Sequence, residues 1–242
     1  MKAMILAAGL GTRLRPVTDE LPKALVSVKG RPLLQHVIES MIRQNVTEII
    51  INVHHRADKI IDFLKVQNNF NIRIEISHEK KILETGGGIK KAGWFFADGE
   101  PFLVHNVDVL TNLAIQDMIN THKAQKGLAT LAVRKRDAKR QLLFNNRMEL
   151  QGWRSDQKMR IATESVTDQM NSYSFMGIHI MSPEILALFP QTDYFSIIDA
   201  YLDIINDKKK VIGYQADRFF WLDIGTPQKL TAAEKFLDEI AL

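Results

Sequence analysis

The chain has 242 residues, 45% hydrophobic and 25% charged, with no cysteine; this excludes a disordered, collagenous or disulfide-framed protein and leaves room for one substantial core. The 32 basic and 28 acidic residues give a net charge of +4, scattered along the chain, which does not mark a nucleic-acid-binding face and suits small anionic substrates equally well. No apolar run approaches the ~18 residues of a membrane span, so a soluble protein with no membrane partner is expected, and the absence of cysteine suits a reducing cytoplasm.

In chain order, Ala3-Met4-Ile5-Leu6-Ala7 reads as a first buried strand ended by the Gly9–Gly11 turn. It is too short an apolar run for a signal peptide. Leu33 to Ile42 carries apolar residues at helical spacing, and Glu48 to Val53 is a β-branched strand. Ile60, Ile61 and Leu64 mark a second helix, and an alternating strand follows from Ile72 to Ile76. A helix from Gly88 to Phe96 then leads to the strand Phe102-Leu103-Val104. This βαβαβ rhythm predicts an α/β fold with a mainly parallel, doubly wound (Rossmann-like) sheet. Such sheets bind ligands beyond the carboxyl ends of their strands. Gly9, His54, His78 and Asp108 each stand just past a predicted strand and should gather along one edge.

After about residue 112 the pattern changes. Strands at Ala129–Val133, Leu142–Phe144 and Met148–Trp153, the turn Asn145-Asn146-Arg147, and a strand at Ser174–Met181 predict a smaller β-rich lobe. Pro183 opens a helix, Phe195 to Ile205 is helical, and Lys208-Lys209-Lys210 is a solvated turn before an apolar strand. The last helix runs from Pro227 to Ile240, and no appended domain is expected after it. With no linker or repeat, a single domain over 1–242 is expected, in two halves at about 1–112 and about 113–242.

The strongest chemical signal is Leu6-Ala7-Ala8-Gly9-Leu10-Gly11-Thr12-Arg13-Leu14-Arg15-Pro16, continuing to Pro22-Lys23. Glycines let backbone N–H groups point at phosphate oxygens. Thr12 adds a hydroxyl, Arg13 a planar fork for paired phosphate oxygens, and Lys23 a compact charge. A dinucleotide-binding turn would need a third glycine where Leu14 stands and an acidic residue where Asn52 and Val53 stand. A Walker loop is absent. The run resembles the signature of the sugar-phosphate nucleotidyltransferases, through Gly9, Gly11, Thr12, Arg13, Leu14, Pro16, Thr18, Pro22 and Lys23. Ala24 departs from it, standing where that family has a second proline. The resemblance implies the nucleotide-diphospho-sugar transferase fold. It also implies triphosphate contacts from Ala7, Ala8, Gly9, Gly11, Thr12 and Arg13, with Lys23 on the reacting phosphates.

Leu83-Glu84-Thr85-Gly86-Gly87-Gly88-Ile89 places three glycines before a helix, and the resemblance sets Gly87 and Gly88 against the nucleobase. Asp108 ends a strand, and Asp223 lies in Trp221-Leu222-Asp223-Ile224-Gly225-Thr226. Two carboxylates completed by substrate phosphates suit Mg²⁺, and the resemblance assigns both aspartates to that metal. Val107 replaces a common glycine before Asp108. On the sugar side the resemblance points to Met176 and Gly177, with Arg160 and Glu164 as rough candidates. Met176 either faces an acyl group of the sugar or the core. His54, His55, His78 and His105 lack paired metal-ligand spacing and read as ordinary polar residues.

The reaction implied is nucleotidyl transfer from a nucleoside triphosphate to a sugar 1-phosphate, with Arg13, Lys23, Asp108 and Asp223 as catalytic residues and Mg²⁺ as cofactor. Among the relatives, the Leu83–Ile89 phrase looks most like the N-acetylmuramate 1-phosphate uridylyltransferases, a cell-wall activity that uses UTP. Mannose 1-phosphate guanylyltransferase is the alternative, and an inactive nucleotide-sugar-binding protein the competing class.

Overall fold

The computed structural model describes residues 1–162 and 170–240. In chain order they form β1 (Lys2–Leu6), α1 (Val17–Glu20), β2 (Ser27–Val28), β3 (Arg31–Pro32), α2 (Leu33–Arg43), β4 (Glu48–Val53), α3 (Ala57–Val66) and β5 (Arg73–His78). Next come α4 (Glu84–Ala92), β6 (Phe102–Asn106), β7 (Val109–Thr111), α5 (Ile115–Gln125), β8 (Ala129–Arg134), β9 (Arg140–Phe144), β10 (Leu150–Ser155) and β11 (Met159–Ile161). The remainder is β12 (Asn171–Met181), α6 (Ile197–Asn206), β13 (Val211–Gln215), β14 (Trp221–Asp223) and α7 (Pro227–Ile240). Among the described residues no helix is long and apolar enough to cross a membrane.

Two compact units result, and neither is a continuous half of the sequence. One holds Met1–Ile82, Val104–Leu113 and Phe219–Leu242; the other holds Leu83–Leu103 and Ala114–Arg218. One junction falls near residue 112, where the sequence changes character. The others follow from pairings that sequence periodicity does not carry. The chain returns to the first unit after Phe219 because β14 pairs antiparallel with β7, Trp221 opposite Thr111 and Asp223 opposite Val109.

The first unit has the predicted βαβαβ rhythm, with strand order β6-β1-β4-β5. β1 and β4 are parallel, Met4 opposite Ile50, and β4 and β5 are parallel, Ile50 opposite Glu75. Ala3, Met4, Ile5 and Ile49–Ile51 are fully buried, as expected of strands covered on both faces. α2 buries Leu33, Leu34, Val37, Ile38 and Met41, an apolar stripe at helical spacing.

In the second unit β12 pairs antiparallel with β8 and β9, β9 with β10, and β10 with β11, while β13 joins β8 in parallel. β12 is longer than Ser174–Met181, and its register shifts between Phe175 and His179. Gly177 sits inside that shift at φ +77°, a left-handed conformation that glycine adopts without strain. The segment opened by Pro183 is a 3₁₀ helix, Pro183–Leu188, rather than an α-helix. Phe189 is extended, the conformation that its neighbour Pro190 favours, and this closes the helix early. The helix expected from Gly88 already begins at Glu84, so the three glycines lie within α4 and not in a turn before it.

Candidate active site

The glycine loop after β1 is fixed at its root by buried side chains. The Ala7 N–H, the first beyond β1, donates to Asn52 Oδ1 at 2.7 Å, and Asn52 Nδ2 donates to Glu79 Oε1 at 2.7 Å. Both side chains are buried, so one amide ties the end of β1 to those of β4 and β5. Sequence reasoning used Asn52 only to exclude a dinucleotide site. The signal it passed over is a polar residue closing an otherwise apolar β-branched run.

Beyond Ala8 the loop becomes exposed at Gly9 and Leu10. Gly11 takes a left-handed φ of +65° and opens the 3₁₀ turn Thr12–Leu14. The hydroxyl of buried Thr18 donates to the Gly11 carbonyl at 2.8 Å. Leu14 is buried, while Thr12 and Arg13 remain exposed beside it. The leucine that ruled out a dinucleotide turn is therefore an apolar anchor under a loop that keeps its polar groups outward.

The two aspartates meet on the β7–β14 ribbon. Asp108 lies just before β7, its carbonyl accepts the Ile224 N–H at 2.8 Å, and Asp223 ends β14. Val107 does not disturb this arrangement. It is buried, and its N–H donates to the Leu6 carbonyl at 3.1 Å, carrying the β1 contact up to Asp108. Lys23 Nζ donates to Asp108 Oδ2 in a close, largely buried ion pair. Lys229 Nζ donates to Asp223 Oδ2 at 3.1 Å. Asp223 Oδ1 is buried, with no hydrogen-bond partner among the described residues. A Cβ placed on Gly225 would lie 3.0 Å from Arg13 Nη2 and 3.1 Å from Asp223 Oδ1, so the arginine fork and the open carboxylate oxygen flank one glycine.

A divalent cation fits this donor set. An unpaired buried carboxylate oxygen costs free energy unless a cation or donor meets it, and hard oxygens are what Mg²⁺ takes. Asp108 and Asp223 are the residues that would hold it. Among the described residues there is no cluster of three or more metal-ligating side chains.

The histidines have other partners. His54 Nδ1 bonds the Glu79 carbonyl at 2.8 Å, and His105 Nδ1 the Asn106 carbonyl at 2.8 Å. Burial pushes His105 down to about 4, against the smaller opposing effects of that carbonyl bond and the Asp108 charge. It is neutral at physiological pH.

In the second unit, the Gly86 and Gly87 N–H groups face the Phe195 carbonyl at 3.0 and 3.3 Å. A Cβ on Gly86 would lie 2.3 Å from the Phe195 ring, and one on Gly87 only 1.9 Å from the Asp193 carbonyl oxygen. The backbone of residues 193–195 thus packs against the Gly87 α-carbon. Gly88 is likewise buried. Met176 is 1% exposed, which favours the core-facing of the two places left open to it. Gly177 is accounted for by the bend in β12. Arg160 pairs with Asp199 and Asp203 of α6. Glu164 lies outside the described residues.

Comparison with known proteins gives the family. The profile of the nucleotidyl transferase family matches residues 2–144. The mannose-1-phosphate guanyltransferase of Emericella nidulans is 31% identical over 230 residues, covering 94% of this chain and 62% of that protein. Mannose-1-phosphate guanyltransferase beta-B of Xenopus laevis is 32% identical over 232 residues, with the same coverage. This chain thus spans somewhat less than two thirds of the length of these relatives. Among solved structures, HddC from Yersinia pseudotuberculosis complexed with GMP-PN superposes with a TM-score of 0.77 at 25% identity, over 98% of this chain and 99% of that one. The chain belongs to the nucleotidyl transferase family.

Proposed function

We propose that the chain transfers a nucleotidyl group from a nucleoside triphosphate to a sugar 1-phosphate, releasing pyrophosphate. The observation that carries this is the convergence in one unit of Arg13, Lys23, Asp108 and Asp223 beside a glycine loop anchored by Asn52 and Thr18. A sugar-phosphate oxygen attacks the α-phosphorus, a new P–O bond forms, and the bond from the α-phosphorus to the bridging oxygen breaks as pyrophosphate leaves. The difficulty is the approach of one anion to another, so positioning and charge neutralisation do the catalytic work. The exposed Arg13 fork receives paired phosphate oxygens, and the loop N–H groups beyond Ala7 line up with them. Lys23 exchanges Asp108 for phosphate oxygens on the reacting side. A divalent cation held by Asp108 and Asp223 would supply charge compensation at the phosphates. An inactive binding protein would not need all four charged groups, and this chain keeps them.

For the substrates, the curated relatives favour GTP and mannose 1-phosphate. The burial of Met176 removes the physical argument for an acyl-bearing acceptor. The second reading, UTP with N-acetylmuramate 1-phosphate, rests on the Leu83–Ile89 phrase. The deciding measurement is pyrophosphate release from GTP and UTP against mannose, glucose, N-acetylglucosamine and N-acetylmuramate 1-phosphates, compared as kcat/KM. We expect GTP with mannose 1-phosphate to lead. Preference for UTP with N-acetylmuramate 1-phosphate would reverse the order of the two readings, and no release from any pair would end both.

A further inference from the structure

We propose that Lys229 is an intramolecular counter-cation that occupies Asp223 until a divalent cation displaces it, so that metal binding at this carboxylate is an exchange of one cation for another. The inference rests on reading Asp223 as metal-holding and adds a residue that this reading does not use.

Two independent features set Lys229 apart from an ordinary surface lysine. It lies in the first turn of α7, which begins at Pro227 and contains no acidic residue in that turn. The N-terminal end of a helix carries partial positive charge, so a lysine is electrostatically misplaced there. Its ammonium instead reaches back to Asp223 Oδ2 at 3.1 Å, with both side chains partly buried. The second feature is the carboxylate itself. Oδ2 is held by Lys229, while Oδ1 is buried beside Gly225 and Arg13 with no partner among the described residues. One ammonium thus satisfies half of a carboxylate whose other half stays open.

The same arrangement recurs at Asp108, which Lys23 covers. With a lysine on each aspartate, the pair of carboxylates is neutralised without metal, which limits their mutual repulsion and the cost of their partial burial. With a dication held at Asp223, the Lys229 ammonium would be repelled and would turn towards solvent or an arriving phosphate. Lys229 therefore weakens metal binding to the empty protein and makes that binding sensitive to salt.

The test uses Mn²⁺ alone with the full chain, read by titration calorimetry and by paramagnetic water relaxation, neither of which requires turnover. Lys229→Met should bind Mn²⁺ about fivefold more tightly than wild type, the factor equivalent to the upper end of a partly exposed ion pair. Lys229→Arg, which keeps the charge, should stay near wild type. The gap between Lys229→Met and wild type should narrow in 0.5 M NaCl, because added salt already weakens the competing pair. Asp223→Asn separates the two layers of the argument. If it weakens Mn²⁺ binding while Lys229→Met leaves binding unchanged, the exchange is wrong and the metal role stands. Weaker binding by Lys229→Met would also overturn the exchange, making Lys229 an orienting partner of the carboxylate instead. If Asp223→Asn changes nothing, or if no variant responds to Mn²⁺, the metal role falls and the exchange with it.

Discussion

At the scale of single residues, the site depends on side chains whose reach is limited by one small neighbour. Gly225 separates the Arg13 fork from Asp223 Oδ1, and an added Cβ would press both at 3.0–3.1 Å. Both contacts are the ends of side chains rather than backbone, so the fold can absorb the methyl group while the site geometry cannot. Gly225→Ala should therefore lower kcat/KM for the triphosphate by about tenfold to a hundredfold, the range that misplacement of a positioned catalytic group can produce. Its thermal midpoint should stay close to wild type. Steady-state kinetics alongside a melting curve check this, and a large fall in midpoint with normal kinetics would contradict it. Sequence reading named Arg13 from the chemistry of a charged fork on a glycine loop and Asp223 from the family resemblance, and the two lie on either side of Gly225. It did not find Gly225, Thr18 or Lys229 as parts of the site, since their roles depend on which distant segment they meet.

At the scale of elements, α4 shows how one motif admits two physical explanations. Three successive glycines lower helix propensity, each by about 1 kcal/mol relative to alanine, yet Gly86, Gly87 and Gly88 lie inside a helix and are buried. Tertiary packing overrides the local preference, because Gly87 lets the Asp193 carbonyl approach where any side chain would collide. Thr85 Oγ1 also accepts the Ile197 N–H at 3.1 Å, linking α4 to the start of α6. Gly87→Ala would force a Cβ to within 1.9 Å of a backbone oxygen, and backbone cannot turn aside as a side-chain tip can. The expected cost is about 3 kcal/mol, at the upper end for overpacked cores, read as a lower denaturation midpoint in urea. An unchanged midpoint with a raised KM for the triphosphate would return Gly87 to a purely nucleotide-facing role. The same contrast explains which elements were legible. α2, β1 and β4 announce themselves by period and β-branching. β7, β11 and β14 are three residues each, too short to carry a period, yet the β7–β14 ribbon is what brings the two aspartates together.

At the scale of the whole molecule, buried histidines make stability depend on pH in a definite direction. His36, His105 and His122 all have lowered values, and in each the largest cause is desolvation by burial. Each ring is committed to neutral partners. His36 Nε2 bonds the Val28 carbonyl at 2.9 Å, while His122 lies between the hydroxyls of Thr130 and Ser182 at 2.8 and 2.9 Å. In the unfolded chain such rings titrate near 6.5, whereas folded His105 titrates near 4. Below pH 6.5 the unfolded state therefore binds more protons than the folded state, and stability falls as pH drops. The loss from His105 is complete once pH has passed below about 4 and amounts to roughly 3 kcal/mol, with the other two histidines adding in the same sense. Unfolding free energy, measured in urea from pH 8 to pH 4, should be flat above pH 7 and decline through the histidine range. His105→Gln keeps a polar side chain in that strand and removes the titration. Whatever its stability at pH 8, its slope between pH 6.5 and 4 should be shallower than that of wild type. An identical slope would mean that His105 opens to solvent and protonates without unfolding, and the burial argument at the root of Asp108 would fall with it.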